Sequence, residues 1–142
     1  MRIAVVDGMG GGLGSQIITR VKPLLSDHDE IVALGSNAIA TAAMMKAGAT
    51  VGATGENAVW LNVARVDIIL GPIGIAIPHS LLGEISGKMA EAVALSTALK
   101  ILIPTNQTQG HFHLAGTTFG GLTSALDDLE GQVRKFLAIS KD

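Results

Sequence analysis

Short runs of β-branched and aliphatic residues alternate along the chain with longer segments in which small apolar residues recur at helical spacing. The apolar runs predict five strands, at residues 2–6, 30–34, 49–53, 66–70 and 100–104. The spaced segments predict five helices, at residues 13–25, 38–47, 56–64, 82–99 and 122–138. Because the strand runs are continuously apolar rather than alternating, each strand is expected to be covered on both faces.

This alternation of strand and helix predicts an α/β fold, because strands joined by helical crossovers pair in parallel with right-handed connections. Gly48 follows the second helix as a C-terminal glycine does, and Ser36 and Thr54 stand at the positions of helix N-caps. The segment 111–116 (HFHLAG) is a candidate sixth, edge strand. We predict a single three-layer, Rossmann-like domain over residues 1–142, with helices on both faces of a mostly parallel sheet of five or six strands.

Composition narrows the classes of function. With 142 residues and 48% apolar side chains, the chain has enough apolar surface for one buried core. Charged residues make up only 15% of the sequence and the net charge is −2, so nucleic-acid and membrane-surface partners are not expected. The sequence contains no cysteine, which excludes disulfides and a cysteine nucleophile.

The same composition bears on location and assembly. No apolar run reaches the roughly 18 residues of a membrane span, and no signal-peptide pattern is present, so a cytoplasmic protein is predicted. The mean hydropathy of +0.46 and the 18 glycines are high for a small domain. An apolar surface on a short chain is often buried against a second copy, and we therefore predict a homo-oligomer.

The sequence VDGMGGGLGSQ directly follows the first predicted strand. In an open parallel sheet the ligand lies beyond the carboxyl ends of the strands, where the strand order reverses. Glycines let backbone N–H groups approach a ligand closely, and the N-terminus of the next helix attracts anions. The loop is therefore a candidate phosphate-binding loop, with a small phosphorylated ligand as the expected partner. Its candidate binding residues are Asp7, Gly8, Gly10, Gly11, Gly12, Leu13 and Gly14.

The glycine spacing leaves the kind of loop open. The dinucleotide pattern GxGxxG fails, because Leu13 or Ser15 stands where its third glycine should be. The spacing of Gly8, Gly12 and Gly14 fits GxxxGxG and resembles the cofactor loop of short-chain dehydrogenases, but the sequence has no tyrosine for the acid that their mechanism needs. The alternative is that the glycines serve only a tight turn and close packing of helix against strand.

A phosphate-binding loop of the NTPase kind is also weighed. The stretch GGLGSQ resembles GGxGKT, but Ser15 and Gln16 replace the lysine and threonine, so hydrolysis of ATP or GTP is not expected. Asp7 is expected to accept hydrogen bonds from N–H groups of the loop, or otherwise to hold a ribose hydroxyl or a metal ion.

Other candidates follow the remaining strands. Where a NAD-binding fold offers an acidic residue to the ribose, the second strand ends in Ser36 and Asn37, which either bind a ribose or cap the next helix. The loops after the third and fourth strands add Thr54, Gly55, Gly71, Pro72 and Gly74 as candidate cofactor-binding residues.

Histidines supply the remaining candidate chemistry. His79 is a weak candidate for acid–base catalysis, the alternative being a surface or capping residue. His111 and His113 share one face of the possible edge strand, but a pair lacks the third ligand that zinc needs. No metal site is predicted.

Taken together, the segments DGMGGGLGSQ, ALGSNAIATAAMMKAGA, ATGENA, DIILGPIGI, GEIS and KILIPTN resemble an uncharacterised bacterial family, a domain of unknown function. The resemblance covers nearly the whole chain. It implies a compact Rossmann-like protein without an established activity, and it assigns no catalytic residue.

Two classes of function remain. The first is a nucleotide- or dinucleotide-binding domain, with NAD(P) or another nucleotide as the suspected cofactor. The second is a non-catalytic regulatory or structural module that binds another phosphorylated metabolite or a protein partner. Whether a reaction is catalysed stays open at this point.

Overall fold

Five parallel strands form one sheet in the computed structural model, which describes residues 1–105, 112, 114–116 and 120–140. The strands are β1 (Arg2–Asp7), β2 (Glu30–Gly35), β3 (Val51–Thr54), β4 (Ile68–Pro72) and β5 (Leu99–Ile103). Their order in the sheet is β3-β2-β1-β4-β5. The chain therefore moves outward from β1 to β3 and then crosses back to β4, so the strand order reverses between β1 and β4.

Helices cover both faces of this sheet. They are α1 (Gly12–Val21), α2 (Ala38–Ala47), α3 (Glu56–Asn62), α4 (Gly87–Leu95) and α5 (Leu122–Ser140). Two apolar clusters fill the layers between sheet and helices: one includes buried residues of α1, α2 and α5, and the other includes buried residues of α3 and α4. Along β1, Ile3 and Val5 enter the first cluster and Ala4 and Val6 the second. The predicted three-layer α/β fold is thus confirmed, and two-sided burial explains the continuously apolar strands β1, β2 and β4. The same expectation is wrong for the edge strand β3, which is largely exposed.

The helix predicted at 82–99 is wrong at both ends. Leu82 and Gly83 have left-handed φ values of 56° and 91°, so no α-helix passes through them and the segment Leu81–Gly83 is only a short 3-10 turn. The helix α4 begins only after Ser86, whose hydroxyl accepts a hydrogen bond from the amide of Met89 at 3.2 Å. Its end at Leu95 leaves room for β5, which begins at Leu99.

Two predicted N-caps are also wrong. Asn37, not Ser36, caps α2, because its side chain accepts a hydrogen bond from the amide of Ala40 at 2.9 Å. Gly55 rather than Thr54 occupies the N-cap position of α3, without a side-chain hydrogen bond. Gly48 ends α2 as predicted, with φ at 121°.

The possible sixth strand at 111–116 falls largely outside the described residues. Among the helices that the structure describes, none combines the length and the hydropathy that crossing a bilayer requires.

Gly131 offers a test of the helical packing. It lies inside α5, and a methyl group there would meet no other atom within 4 Å. We expect Gly131→Ala to raise the free energy of unfolding by about 1 kcal/mol, because glycine costs about that much relative to alanine in a helix interior. Urea denaturation followed by the fluorescence of Trp60, the single tryptophan, measures the change. Gly35→Ala is the opposite control, since its methyl group would lie 2.6 Å from the amide nitrogen of Thr41 and must lower stability. A destabilised Gly131→Ala chain would show that α5 packs differently.

Candidate functional site

The candidate site lies at the carboxyl end of the sheet, where β1 is followed by the glycine loop (residues 8–14), whose last three residues begin α1. Asp7, the last residue of β1, pairs with Gly35, the last residue of β2. The amide of Ser36 then donates to the carbonyl oxygen of Asp7 at 3.0 Å. Since β1 stands between β2 and β4, this loop opens beside the point of strand-order reversal, where open α/β sheets hold their ligands.

The buried side chain of Asp7 holds the glycine loop through hydrogen bonds to its amides. Its side chain is 4% exposed, and its two carboxylate oxygens accept hydrogen bonds from the amides of Gly8 at 2.8 Å and Gly14 at 2.7 Å. Burial raises the pKa of Asp7, outweighing the opposite effect of the bonds from Gly14 and Gly8, and the nearby charge of Glu84 raises it further. The predicted hydrogen bonding of Asp7 to loop N–H groups is present, and it occupies one lone pair on each oxygen.

Three of the five loop glycines are required by packing. A methyl group on Gly8 would lie 2.5 Å from the Ser36 hydroxyl, and one on Gly14 would lie 2.5 Å from the sulfur of Met44. Gly11 has a φ of 74° and approaches the backbone of Ala40, where a methyl group would lie 2.8 Å from the Cα atom. For these three positions, a tight turn and close helix packing explain the glycine.

Gly10 and Gly12 have no such explanation. Neither has a left-handed φ, both are exposed, and a methyl group on either would meet no atom within 4 Å. Within the described part of the chain, the amides of Gly10, Gly12 and Leu13 have no hydrogen-bond acceptor, whereas that of Gly11 donates to the carbonyl of Gly8. The loop therefore presents three unused donors at the N-terminus of α1, the positive end of the helix.

Sequence reasoning missed Glu84 as a site residue. Its Oε1 atom accepts hydrogen bonds from the Met9 amide at 3.0 Å, the Ser36 hydroxyl at 2.7 Å and the Asn37 side-chain amide at 2.7 Å. Burial raises the pKa of Glu84, but the bonds from Ser36, Asn37 and Met9 outweigh it, so the pKa is lowered overall. The group is ionised at neutral pH. No short-range sequence pattern predicts the role of Glu84, because 48 residues separate it from its hydrogen-bond partner Ser36.

A turn with unusual backbone angles delivers Glu84 to this position. His79, Leu81 and Leu82 have φ values of 66°, 55° and 56°, a left-handed region that side chains other than glycine rarely adopt. The turn is held by the His79 amide, which donates to the carbonyl of Ile85 at 2.7 Å. The His79 imidazole is exposed and, among the described residues, makes no hydrogen bond, so its acid–base role stays a prediction.

The other predicted binding residues also lie at the carboxyl edge, and several have structural tasks. The Thr54 hydroxyl lies 2.7 Å from that of Thr41, and the Gly55 amide donates to the carbonyl of Gly35 at 2.9 Å, both at the end of the edge strand β3. Gly71 allows β4 to approach the carbonyl of Val6.

Two further residues follow β4 and its end. Pro72 ends β4, and Gly74 lies in the 3-10 turn Ile73–Ala76, where its carbonyl accepts from the Ser80 hydroxyl. A cofactor contact of these residues stays a prediction. His111 and His113 lie outside the described residues, and the described ones include no group of three side chains suited to a metal ion.

The fold has a counterpart among solved structures. A dodecameric FMN-dependent UbiX-like decarboxylase from Escherichia coli O157:H7 superposes with a TM-score of 0.53 over 97% of this chain and 95% of its own, at 12% sequence identity. At that identity the likeness concerns the fold alone. No curated protein matches the sequence.

At the level of the family, the sequence matches one model, Domain of unknown function (DUF3842), over residues 2–138. That range takes in every described strand and the glycine loop, and it agrees with the resemblance of the ordered segments noted above. The chain therefore belongs to the DUF3842 family.

Proposed function

We propose that this protein binds a phosphorylated nucleoside-type ligand, with the phosphate on the glycine loop at the start of α1. The observation that carries the proposal is the pair Gly10 and Gly12, whose missing side chains leave open space beside three unused amides. Neither the backbone conformation nor the packing requires glycine at these two positions. A ligand that must come close to the backbone supplies the missing reason, and backbone amides at a helix N-terminus are typical phosphate donors.

The charges around the loop restrict where the phosphate sits. Asp7 and Glu84 are both carboxylates, and Glu84 occupies the donors of Ser36 and Asn37. A phosphate close to Asp7 or Glu84 would meet a like charge. We therefore place it on the amides of Gly10, Gly12 and Leu13, away from the end of β2.

The identity of the ligand is limited by what the loop lacks. The Ser15 hydroxyl donates to the carbonyl of Gly11 at 2.7 Å, and Gln16 stands where a phosphate-binding loop has its magnesium-binding hydroxyl. Hydrolysis of ATP or GTP is thus disfavoured. The solved structure with this fold is described as FMN-dependent, which supports FMN, beside NAD(P) and mononucleotides, as a ligand of the present chain.

Thermal denaturation with added ligand tests the proposal. We expect at least one of FMN, AMP, NAD and NADP to stabilise the protein, by about 2.7 kcal/mol at a ligand concentration of 100 times Kd. Riboflavin and adenosine, the same compounds without phosphate, serve as matched controls and should stabilise it far less. If no phosphorylated compound shifts the transition, or if riboflavin and adenosine act equally well, phosphate binding by the glycine loop is refuted.

Self-association stays part of the proposal. Trp60, Leu61 and Leu95 expose apolar surface between α3 and α4, beside a groove of about 290 Å³. The UbiX-like decarboxylase is described as dodecameric. The exposed apolar side chains support burial of this face against a second copy of the chain, and the dodecameric neighbour supports self-association without indicating the face.

A further inference from the structure

We propose that Glu84 forms the subsite for the sugar hydroxyls of the ligand, accepting hydrogen bonds from a vicinal diol of a ribosyl or ribityl group. This inference rests on the proposed function, since the phosphate on the glycine loop positions the diol. The shared chemistry is a phosphate ester of a polyhydroxylated five-carbon unit, present in nucleotides and in FMN alike.

Glu84 lies at the sheet edge beside the end of β2. Dinucleotide-binding folds usually hold the ribose with an acidic residue at the end of β2. Here β2 is followed by Ser36 and Asn37, and neither is acidic. Both donate to Glu84, which arrives from the β4–α4 connection. The sheet edge thus has a carboxylate where such folds place one, supplied by a different part of the chain.

The two carboxylate oxygens of Glu84 differ in their hydrogen bonds. The Oε1 atom already accepts all three protein donors, from Met9, Ser36 and Asn37. Within the described residues, no donor is bonded to Oε2. An ionised carboxylate has about four lone-pair sites and only accepts, so Oε2 suits hydroxyl groups and repels a phosphate. The three bonds to Oε1 hold the group in one orientation.

Along the loop, the amide that is bonded to Glu84 directly precedes the unused amides. The Met9 amide donates to Glu84, and the next amide, that of Gly10, is the first of the three unused donors. The hydroxyl-accepting carboxylate and the phosphate-binding amides therefore share consecutive residues. A compound in which a phosphate ester is joined to a diol matches this sequence of acceptor and donors.

Binding measurements on the purified protein test the subsite. By isothermal titration, wild-type protein should bind AMP about tenfold more tightly than 2′-deoxy-AMP or 3′-deoxy-AMP, as expected for a hydrogen bond to a charged group. Glu84→Gln should reduce this ratio severalfold, because the amide keeps an oxygen for the three donors but replaces the free charged acceptor by an N–H group, whose hydrogen bond to a hydroxyl is neutral and weaker. If the ligand is FMN rather than AMP, the same substitution should weaken FMN about tenfold relative to inorganic phosphate.

Glu56→Gln is the matched control. Glu56 lies at the same sheet edge, at the start of α3, is exposed, and makes no hydrogen bond among the described residues. Glu56→Gln removes the same charge as Glu84→Gln at a position that makes no contact with the glycine loop, so the preference for a diol should persist. The wild-type comparison of AMP with its deoxy analogues needs no variant and remains decisive if Glu84→Gln fails to fold.

The outcomes separate the two proposals. If neither AMP nor FMN binds to the wild-type protein, the proposed function fails and this subsite with it. If they bind but the deoxy analogues bind equally well, or Glu84→Gln keeps the preference, only the subsite is overturned. If Glu84→Gln binds AMP and its deoxy analogues more tightly by the same factor, Glu84 acts only as an internal anion that occludes the loop, which also overturns the subsite.

Discussion

Gly12→Val is expected to fold like the wild type and to lose at least tenfold in affinity for phosphorylated ligands. The valine side chain enters the open space beside the unused amides of Gly12 and Leu13 and keeps a phosphate from reaching them. Each charge-assisted hydrogen bond lost is worth about 1.5–3 kcal/mol. Gly12 is the first residue of α1, where valine is no worse a helix former than glycine. Titration calorimetry with the ligand that stabilises the wild type, beside urea denaturation, measures both effects.

Gly11→Ala supplies the contrast within the same loop. Gly11 has a left-handed φ of 74° and contacts the backbone of Ala40, so alanine there strains the turn and is expected to lower stability. A Gly12→Val chain that binds as the wild type does would show that the open space takes no ligand. A Gly12→Val chain that is as unstable as Gly11→Ala would show that the glycine serves packing after all.

Asp7→Ala is expected to lower the free energy of unfolding by about 2 kcal/mol, because it leaves the buried amides of Gly8 and Gly14 without an acceptor, at about 1–3 kcal/mol each. Relief from burying a carboxylate offsets part of this cost. Urea denaturation at neutral pH gives the difference. An equally stable Asp7→Ala chain would mean that water replaces the carboxylate.

The pH dependence of that difference has a definite sign. Since the folded-state pKa of Asp7 is raised, one part of its contribution to stability depends on protonation. That part is fully present below the unfolded pKa and is lost as pH rises through the folded pKa. The stability gap between wild type and Asp7→Ala should therefore narrow between acidic and neutral pH. A gap that widens would indicate that hydrogen bonding, not burial, dominates the titration of Asp7.

The architecture follows from the sequence because its signals are local and repeated. The continuous apolar runs of β1, β2 and β4 predict two-sided burial, and the structure places alternate residues of β1 in two separate clusters. The bond from Asp7 to the loop is equally local, since it spans at most seven residues. The hydrophobic pattern within each strand determines the burial of the strands, and hydrogen bonds between residues close in sequence determine the conformation of the loop.

Other features depend on contacts that no local pattern contains. Leu82, Glu84 and Ile85 are compatible with a helix in the sequence, but the left-handed turn at Leu81 and Leu82 prevails there because it packs Leu81 into the core and brings Glu84 to Ser36. Likewise, the five loop glycines look equivalent in the sequence. Only the positions of Ala40, Met44 and Ser36 separate the three that packing demands from the two that it does not.

Asp7 joins the amides of Gly8 and Gly14, one at each end of the glycine loop, through a single buried side chain. The conformation of the glycine loop is therefore fixed by the protein itself before a ligand binds. Binding of the proposed ligand then costs little free energy for ordering the glycine loop, so a few polar contacts suffice for affinity.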